Sequence, residues 1–273
     1  MPESLWEKVA AVAAVAAILG LLVLLVLALN SRKGPPAANL HPTGSSTQVT
    51  ESVPVAVREG PIWRGDFEQG NLAQWDSIDA VPGRITVVHS PVRRGDWAGR
   101  FEVRQGDSVS HGQRAELVRR TNESEGVEEW WAWSVFFPDD FHPGRWTIFS
   151  QWHDYPVTAI SPPVAFAVRG HELTMTVRGG ATSDPVVHQW KLGDLRRDEW
   201  YDFVFHVRWS VAAGSVALWV NGRRVVPETV TPTLYVGKVN YLKQGNYRYP
   251  APGRSVLYQD EARQATTRAA LED

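Results

Sequence analysis

Three short stretches hold side chains able to do acid–base chemistry on a charged sugar: Arg114-Ala-Glu-Leu117, Gln151-Trp-His153 and Tyr241-Leu-Lys-Gln-Gly-Asn-Tyr247. Each sits where polar and apolar residues alternate, and in a strand alternate side chains share a face. Arg114 then lies beside Glu116, Gln151 beside His153, and Tyr241 beside Lys243, Gly245 and Tyr247. If the three strands are neighbours, one sheet face presents Arg, Glu, Gln, His, Lys and two Tyr. Such a set suits removal of a proton next to a carboxylate in an anionic sugar chain. The proton on carbon 5 of a uronate is a very weak acid while the carboxylate is charged. Donors such as Arg, Gln and Lys offset that charge and stabilise the enolate-like state. A base then takes the proton and an acid protonates the leaving oxygen on carbon 4. His and Tyr suit those two tasks, and the chemistry requires no metal or other cofactor.

The rest of the chain supplies the strands that such a face needs. Phe203, Phe205, Val207 and Trp209 alternate with Asp202, Val204, His206 and Arg208, and Trp131, Trp133, Val135 and Phe137 make another apolar face. Val216–Val220 and Arg223–Val226 flank Asn221-Gly222, and Asn-Gly between two apolar runs is the strongest short-range hairpin signal. Proline-containing breaks, Phe137-Pro-Asp-Asp140 and Ser161-Pro-Pro163, separate strands. Only Asp260–Leu271 hints at helical periodicity. Many strands, regular turns and no alternation of strand and helix predict an all-β fold, a jelly-roll β-sandwich.

Composition bounds the reading further. A sandwich of roughly 200–250 residues as one domain is ordinary, and the chain has 273. Most of its 13 Trp are read as core. The absence of Cys excludes disulfides and thiolate metal sites, so stability must come from a large apolar core. The net charge of −2 gives no global attraction for a polyanion, which leaves local basic patches to do that work. No nucleic-acid partner is expected, and the domain is expected to be a monomer.

Val9–Leu29 is an uncharged apolar run, long enough for a bilayer, which needs about 20 residues. A secretory signal has an apolar region of only ~7–15 residues, and no convincing cleavage site follows Leu29. Residues 1–30 are therefore expected to be an uncleaved signal anchor, or a transmembrane helix in other words. Residues 31–60, rich in Pro, Ser, Thr, Gly and Ala, are expected to be a disordered linker, and residues 61–273 the working domain. Lys8 on one side and Arg32 and Lys33 on the other do not settle orientation by charge. Polysaccharide degradation would place the domain outside the cell, tethered to the membrane, or secreted if the segment is cleaved.

The three stretches resemble the Arg-x-Glu-Leu, Gln-x-His and Tyr-x-Lys-x-Gly-x-Tyr signatures of alginate lyases. The text around them is more similar to the heparin lyase and glucuronan lyase group of jelly-roll lyases. It includes Trp131-Ala-Trp-Ser-Val-Phe-Phe-Pro-Asp-Asp-Phe141, Pro162-Pro163 and Phe203-Val-Phe-His-Val-Arg-Trp-Ser210. The resemblance spans Trp63 to Arg263. It implies a lyase that cleaves a uronate polysaccharide by β-elimination. Arg114 and Gln151 would neutralise the carboxylate, His153 would serve as base or help to neutralise, depending on the configuration at carbon 5, and Tyr247 would be general acid, and base too if elimination is syn. Lys243, Glu116, Tyr241 and Arg248 would bind substrate. Some members hold a structural calcium, for which no ligand set is assignable here. Two positions depart from the alginate pattern: Val118 precedes Arg119, and Tyr249 stands where a Gln is usual. Arginine pairs such as Arg93-Arg94 and Arg119-Arg120 do not single out a sulfated chain.

Each residue also has a plainer reading. Arg114 and Glu116 would make a same-face ion pair, His153 a hydrogen-bonded strand residue, and the two Tyr packing residues with a wet hydroxyl. Asp202, His206 and Arg208 read as the solvated side of a strand, and His111, His171 and His188 suggest no metal site. A carbohydrate-binding jelly roll without catalysis is the alternative function. A glycoside hydrolase on a similar sandwich ranks below it, because that chemistry needs two carboxylates flanking the bond and Asp198-Glu199 would face opposite ways.

Overall fold

The computed structural model describes residues 60–272. The predicted anchor Val9–Leu29 and nearly all of the predicted linker lie outside the described residues. Among the described residues no helix is long and apolar enough to cross a membrane.

Among the described residues fifteen strands form two antiparallel sheets. The first sheet runs β13 (Arg223–Val230), β12 (Ser215–Val220), β11 (Trp200–Arg208), β6 (Glu128–Phe136), β15 (Arg254–Ala265), β4 (Ala98–Arg104) and β3 (Ile85–Val88), with β1 (Trp63–Gly65) also paired to β15. The second runs β10 (Val186–Asp194), β9 (Glu172–Gly179), β8 (Val164–Arg169), β7 (Trp146–Tyr155), β14 (Val239–Arg248), β5 (Gln113–Glu123) and β2 (Ser77–Ala80). This is the sandwich that the alternation predicts.

The core lies between the sheets and takes up Trp75, Trp131, Trp133, Trp152 and Trp209 as buried side chains. Trp131 and Trp133 on β6, Phe203 and Phe205 on β11, Trp152 on β7 and Phe166 on β8 all point inward and are buried. Trp133 stacks on Phe203 with centroids 5.1 Å apart, and Trp152 meets Trp131, Trp133, Phe166 and Phe205. Aromatic pairs in such geometry add about 0.5–1.5 kcal/mol beyond their buried area. The hairpin at Asn221-Gly222 forms as expected, with φ of 49° and 76° at the two turn residues, as a type I′ turn requires.

One expectation is corrected. Asp260–Leu271 is not helical: its first half belongs to β15, and only Ala269–Leu271 makes a short 3-10 turn. The apparent periodicity arises where β15 carries an irregularity between Asp260 and Arg263, with Glu261 at φ 59°.

Candidate active site

Three adjacent strands of the second sheet, β5, β14 and β7, bring the three stretches together. The register sets Tyr247 opposite Arg114, Gly245 opposite Glu116, Lys243 opposite Gln151, and Tyr241 opposite His153. On β5 the alternate residues Ala115 and Leu117 fill the core, so Arg114 and Glu116 take the other face. On β7 simple alternation does not hold. An irregularity between Ile148 and Ser150 lets both Phe149 and Trp152 reach the core while Ile148, Gln151 and His153 line the cleft. A bulge re-aims side chains in this way.

Glu116 is the hub. It is 1% exposed, yet it accepts from Arg114 Nη1 at 3.0 Å, from Gln151 Nε2, and from Lys243 Nζ at 3.0 Å. Lys243 also donates to Asp79 Oδ2 on β2, at 2.8 Å. Burial pulls the Lys243 pKa down, but Glu116 and Asp79 outweigh it and the neighbouring Arg114, and hold the ammonium above its usual range. A buried charge is tolerated only when paired and hydrogen-bonded, and here one carboxylate satisfies three donors.

That placement corrects the expectation for Glu116. It touches no cavity and positions Arg114, Gln151 and Lys243 from beneath. Arg248 is corrected more fully. It is fully buried on the opposite face of β14 from Tyr247, and donates to Gln113 Oε1 at 3.1 Å and to the carbonyls of Ala251 and Gly253. It ties down the chain beyond β14 and does not face the cleft.

Above the hub the cleft has two compartments, of about 660 and 330 Å³, within the usual ~300–1,000 Å³ of ligand sites. Asp79, Tyr241 and Lys243 line the larger, and Trp146, Gln151 and Ala165 the smaller. Arg114, His153, Tyr247 and the loop residues Ala159 and Ile160 line both, so the two are one groove running across the strands. The acid–base candidates stand at the junction.

Tyr247 is clamped there. The Arg114 guanidinium lies 3.9 Å from its ring centroid, within cation–π range, and Trp146 packs edge-on at 5.1 Å. A Cβ at Gly112 would sit 2.6 Å from the ring and one at Gly245 only 2.1 Å from the Ala115 carbonyl oxygen. Both positions need glycine for close approach. His153 Nδ1 lies 3.1 Å from Asp154 Oδ1 and 3.3 Å from the Asp154 carbonyl. With its proton on Nδ1 toward these oxygens, the ring keeps Nε2 as its free lone pair, the arrangement a base needs. Burial raises the Asp154 pKa, but His153 and Thr158 more than offset it and hold the carboxyl below its usual range. Burial pushes the Tyr241 hydroxyl up.

Sequence reasoning passed over Asp154, although a carboxylate directly after His153 is a visible signal. It also passed over Asp79 and Trp146, which only strand pairing brings in. The Asp202–His206–Arg208 strand lies on the other sheet, and His206 is not solvated as expected. It is 8% exposed, stacked on Trp130 with centroids 4.2 Å apart and held by Glu128 and Glu228. Among the described residues one group, His171, Glu172 and Asp194, brings metal-ligand atoms within 4.8 Å of one another. His171 and Asp194 are exposed and Glu172 half-buried, and Lys191 engages Glu172.

A family model described as polysaccharide lyase matches residues 67–263. Among solved structures the fold is similar to an endo-β-1,4-glucuronan lyase from the fungus Trichoderma reesei, with a TM-score of 0.66 and 16% identity over 76% of this chain and 96% of that one. An alginate lyase from Corynebacterium sp. overlaps less, with a TM-score of 0.49 and 15% identity over 68% of this chain and 82% of its own. At 16% identity the likeness to the glucuronan lyase is one of fold. No curated protein matches the chain at a significant level.

Proposed function

The chain belongs to the polysaccharide lyase family, whose members open uronate chains by β-elimination, and we propose that the groove on its second sheet performs that elimination. The observation that carries this reading is the junction: His153 and Tyr247 line both compartments directly above a buried network that holds Arg114, Gln151 and Lys243 in place. Arg114, which lines both compartments, and Gln151, which lines the smaller, face the uronate carboxylate and offset its charge as negative charge develops on carbon 5. His153, oriented by Asp154, takes the proton. Tyr247 gives a proton to the leaving oxygen on carbon 4 as the glycosidic bond breaks and the 4,5 double bond forms. Pre-positioned donors in a water-poor site do this at little reorganisation cost.

The domain works outside the cell as a monomer, tethered through Val9–Leu29. That part of the reading is supported by the uncharged apolar run and the Pro- and Ser-rich stretch after it. A panel of uronate polymers tests the chemistry: polyglucuronate, alginate and a heparin-like chain are each incubated with the protein while ultraviolet absorbance is followed. Rising absorbance from the unsaturated end is the expected result. Binding without absorbance would make the domain a carbohydrate-binding module, and new reducing ends without absorbance would make it a hydrolase.

A further inference from the structure

Arg169, at the end of β8, and Arg178, near the end of β9, line the same compartment as Arg114, Gln151 and His153. Among the described residues neither guanidinium has a carboxylate within 4.0 Å. Glu172, which faces Arg169 across the hairpin, is taken by Lys191. Arg178 makes one bond, from Nη1 to the Pro162 carbonyl at 3.2 Å. Burial holds its pKa below the usual range, and the nearby Arg169 charge adds to that against a pull from Tyr235. Arg169 is exposed and Arg178 half-buried, so the compartment offers two cations without a carboxylate, and an anion lying between them would be attracted by both.

The sheet surface between the two arginines is made of small residues. Ala165 and Ala167 from β8 pair with Thr176 and Thr174 from β9, and none of the four rises above the sheet as a large side chain would. The register also fixes direction. Gln151 faces Ala165, and one step along, beside the Trp152–Val164 pair, Arg178 N donates to the Pro163 carbonyl. Arg178 is therefore level with His153, two strand spacings or about 10 Å away, along the line in which the groove runs.

We propose that Arg169 and Arg178 form a second carboxylate-binding subsite, which grips another uronate of the same chain beside the sugar being cleaved. This rests on the reading of the groove as a uronate-polymer site. It makes the pair a specificity determinant, because a chain with a neutral sugar at that place leaves both guanidiniums unpaired. Guanidinium–carboxylate forks are among the stronger polar contacts.

Two measurements on the full chain test it, with polyglucuronate as the probe: binding by titration calorimetry and cleavage by ultraviolet absorbance. The Arg169→Ala/Arg178→Ala variant is expected to keep the wild-type thermal midpoint and to keep kcat. Its Kd and KM for the polymer should rise ~10-fold or more, as expected for lost hydrogen bonds to a charged group. The difference should shrink on the shortest oligouronate that is still opened, which cannot reach the pair. The Arg169→Lys/Arg178→Lys variant should fall between, since charge remains and the fork is lost. Unchanged Kd and KM in the alanine variant would overturn the subsite and leave the lyase reading intact, and so would an equal loss on short and long chains. Weaker binding by the variant, with no absorbance from any form of the protein, would uphold the subsite and remove the lyase reading.

Discussion

Strand β5 buries two glutamates seven positions apart, and they live in opposite worlds. Glu116 and Glu123 are 1% and 2% exposed. Glu116 meets Arg114, Lys243 and Gln151. Glu123 meets Glu129, another buried carboxylate, and its Oε1 has no partner. Burial first, and then the Glu129 charge, push the Glu123 carboxyl up to about 9. Burial raises Glu129 as well, although Gln264 donates to its Oε2 at 2.7 Å. Equal burial thus yields a charged scaffold at one end of the strand and a proton-holding pair at the other. What decides is whether cations are built around the carboxylate. The first arrangement positions donors beneath a groove, and the second touches no part of the site.

The largest effect belongs to the groove end. Tyr247→Phe should lower kcat by roughly 10²–10⁴-fold, the usual worth of a general acid, and leave the thermal midpoint in place, because the ring still packs under Arg114 and against Trp146. A variant with full activity would strip Tyr247 of its role. Glu116→Gln should cost both activity and roughly 3–5 kcal/mol of stability, since it leaves the buried Arg114 guanidinium without a carboxylate and Lys243 with Asp79 alone. Denaturant unfolding measures this, and a neutral result would dissolve the contrast between the two glutamates. Adding Lys243→Met to Glu116→Gln should recover part of that stability but none of the activity, as removal of both partners of a buried pair usually does.

The effect at the other end has the opposite sign. Glu123 keeps its proton in the folded state up to about pH 9 but has an ordinary pKa near 4.5 when unfolded. Between those values the folded protein binds the extra proton, so stability falls as pH rises through the window. Glu123→Gln should therefore be more stable than wild type at pH 8 and show a flatter dependence of thermal midpoint on pH. The Glu129 contribution would remain. A variant less stable than wild type at pH 8 would mean that the Glu123 charge is compensated after all.

The fold and the lining of the candidate groove were largely legible because both depend on period-2 alternation. Arg114 with Glu116 and Tyr241 with Lys243 are right by parity alone, and Asn221-Gly222 announces its hairpin. Alternation fails where a bulge intervenes. Nothing in Phe149-Ser-Gln-Trp-His153 shows that Phe149 and Gln151 part company, and that switch places Gln151 over Glu116. Depth is equally hidden: a sequence shows that Glu116 shares a face with Arg114, not that it lies under it. Arg248 departs from the expectation for the converse reason, since its parity sets it on the opposite face of β14 from Tyr247. Arg169 and Arg178 sit at opposite ends of a hairpin, and only the folded β8–β9 register turns them into one compartment.

The central claim is that this groove breaks the sugar chain by elimination, without adding water across the bond. Digestion of polyglucuronate in ¹⁸O-labelled water, followed by mass spectrometry of the fragments, tests it most directly. Elimination predicts fragments with one unsaturated end and no label beyond the slow exchange of reducing ends seen without enzyme, with Tyr247→Phe producing almost none of them. Saturated fragments that each carry one solvent oxygen would contradict the account.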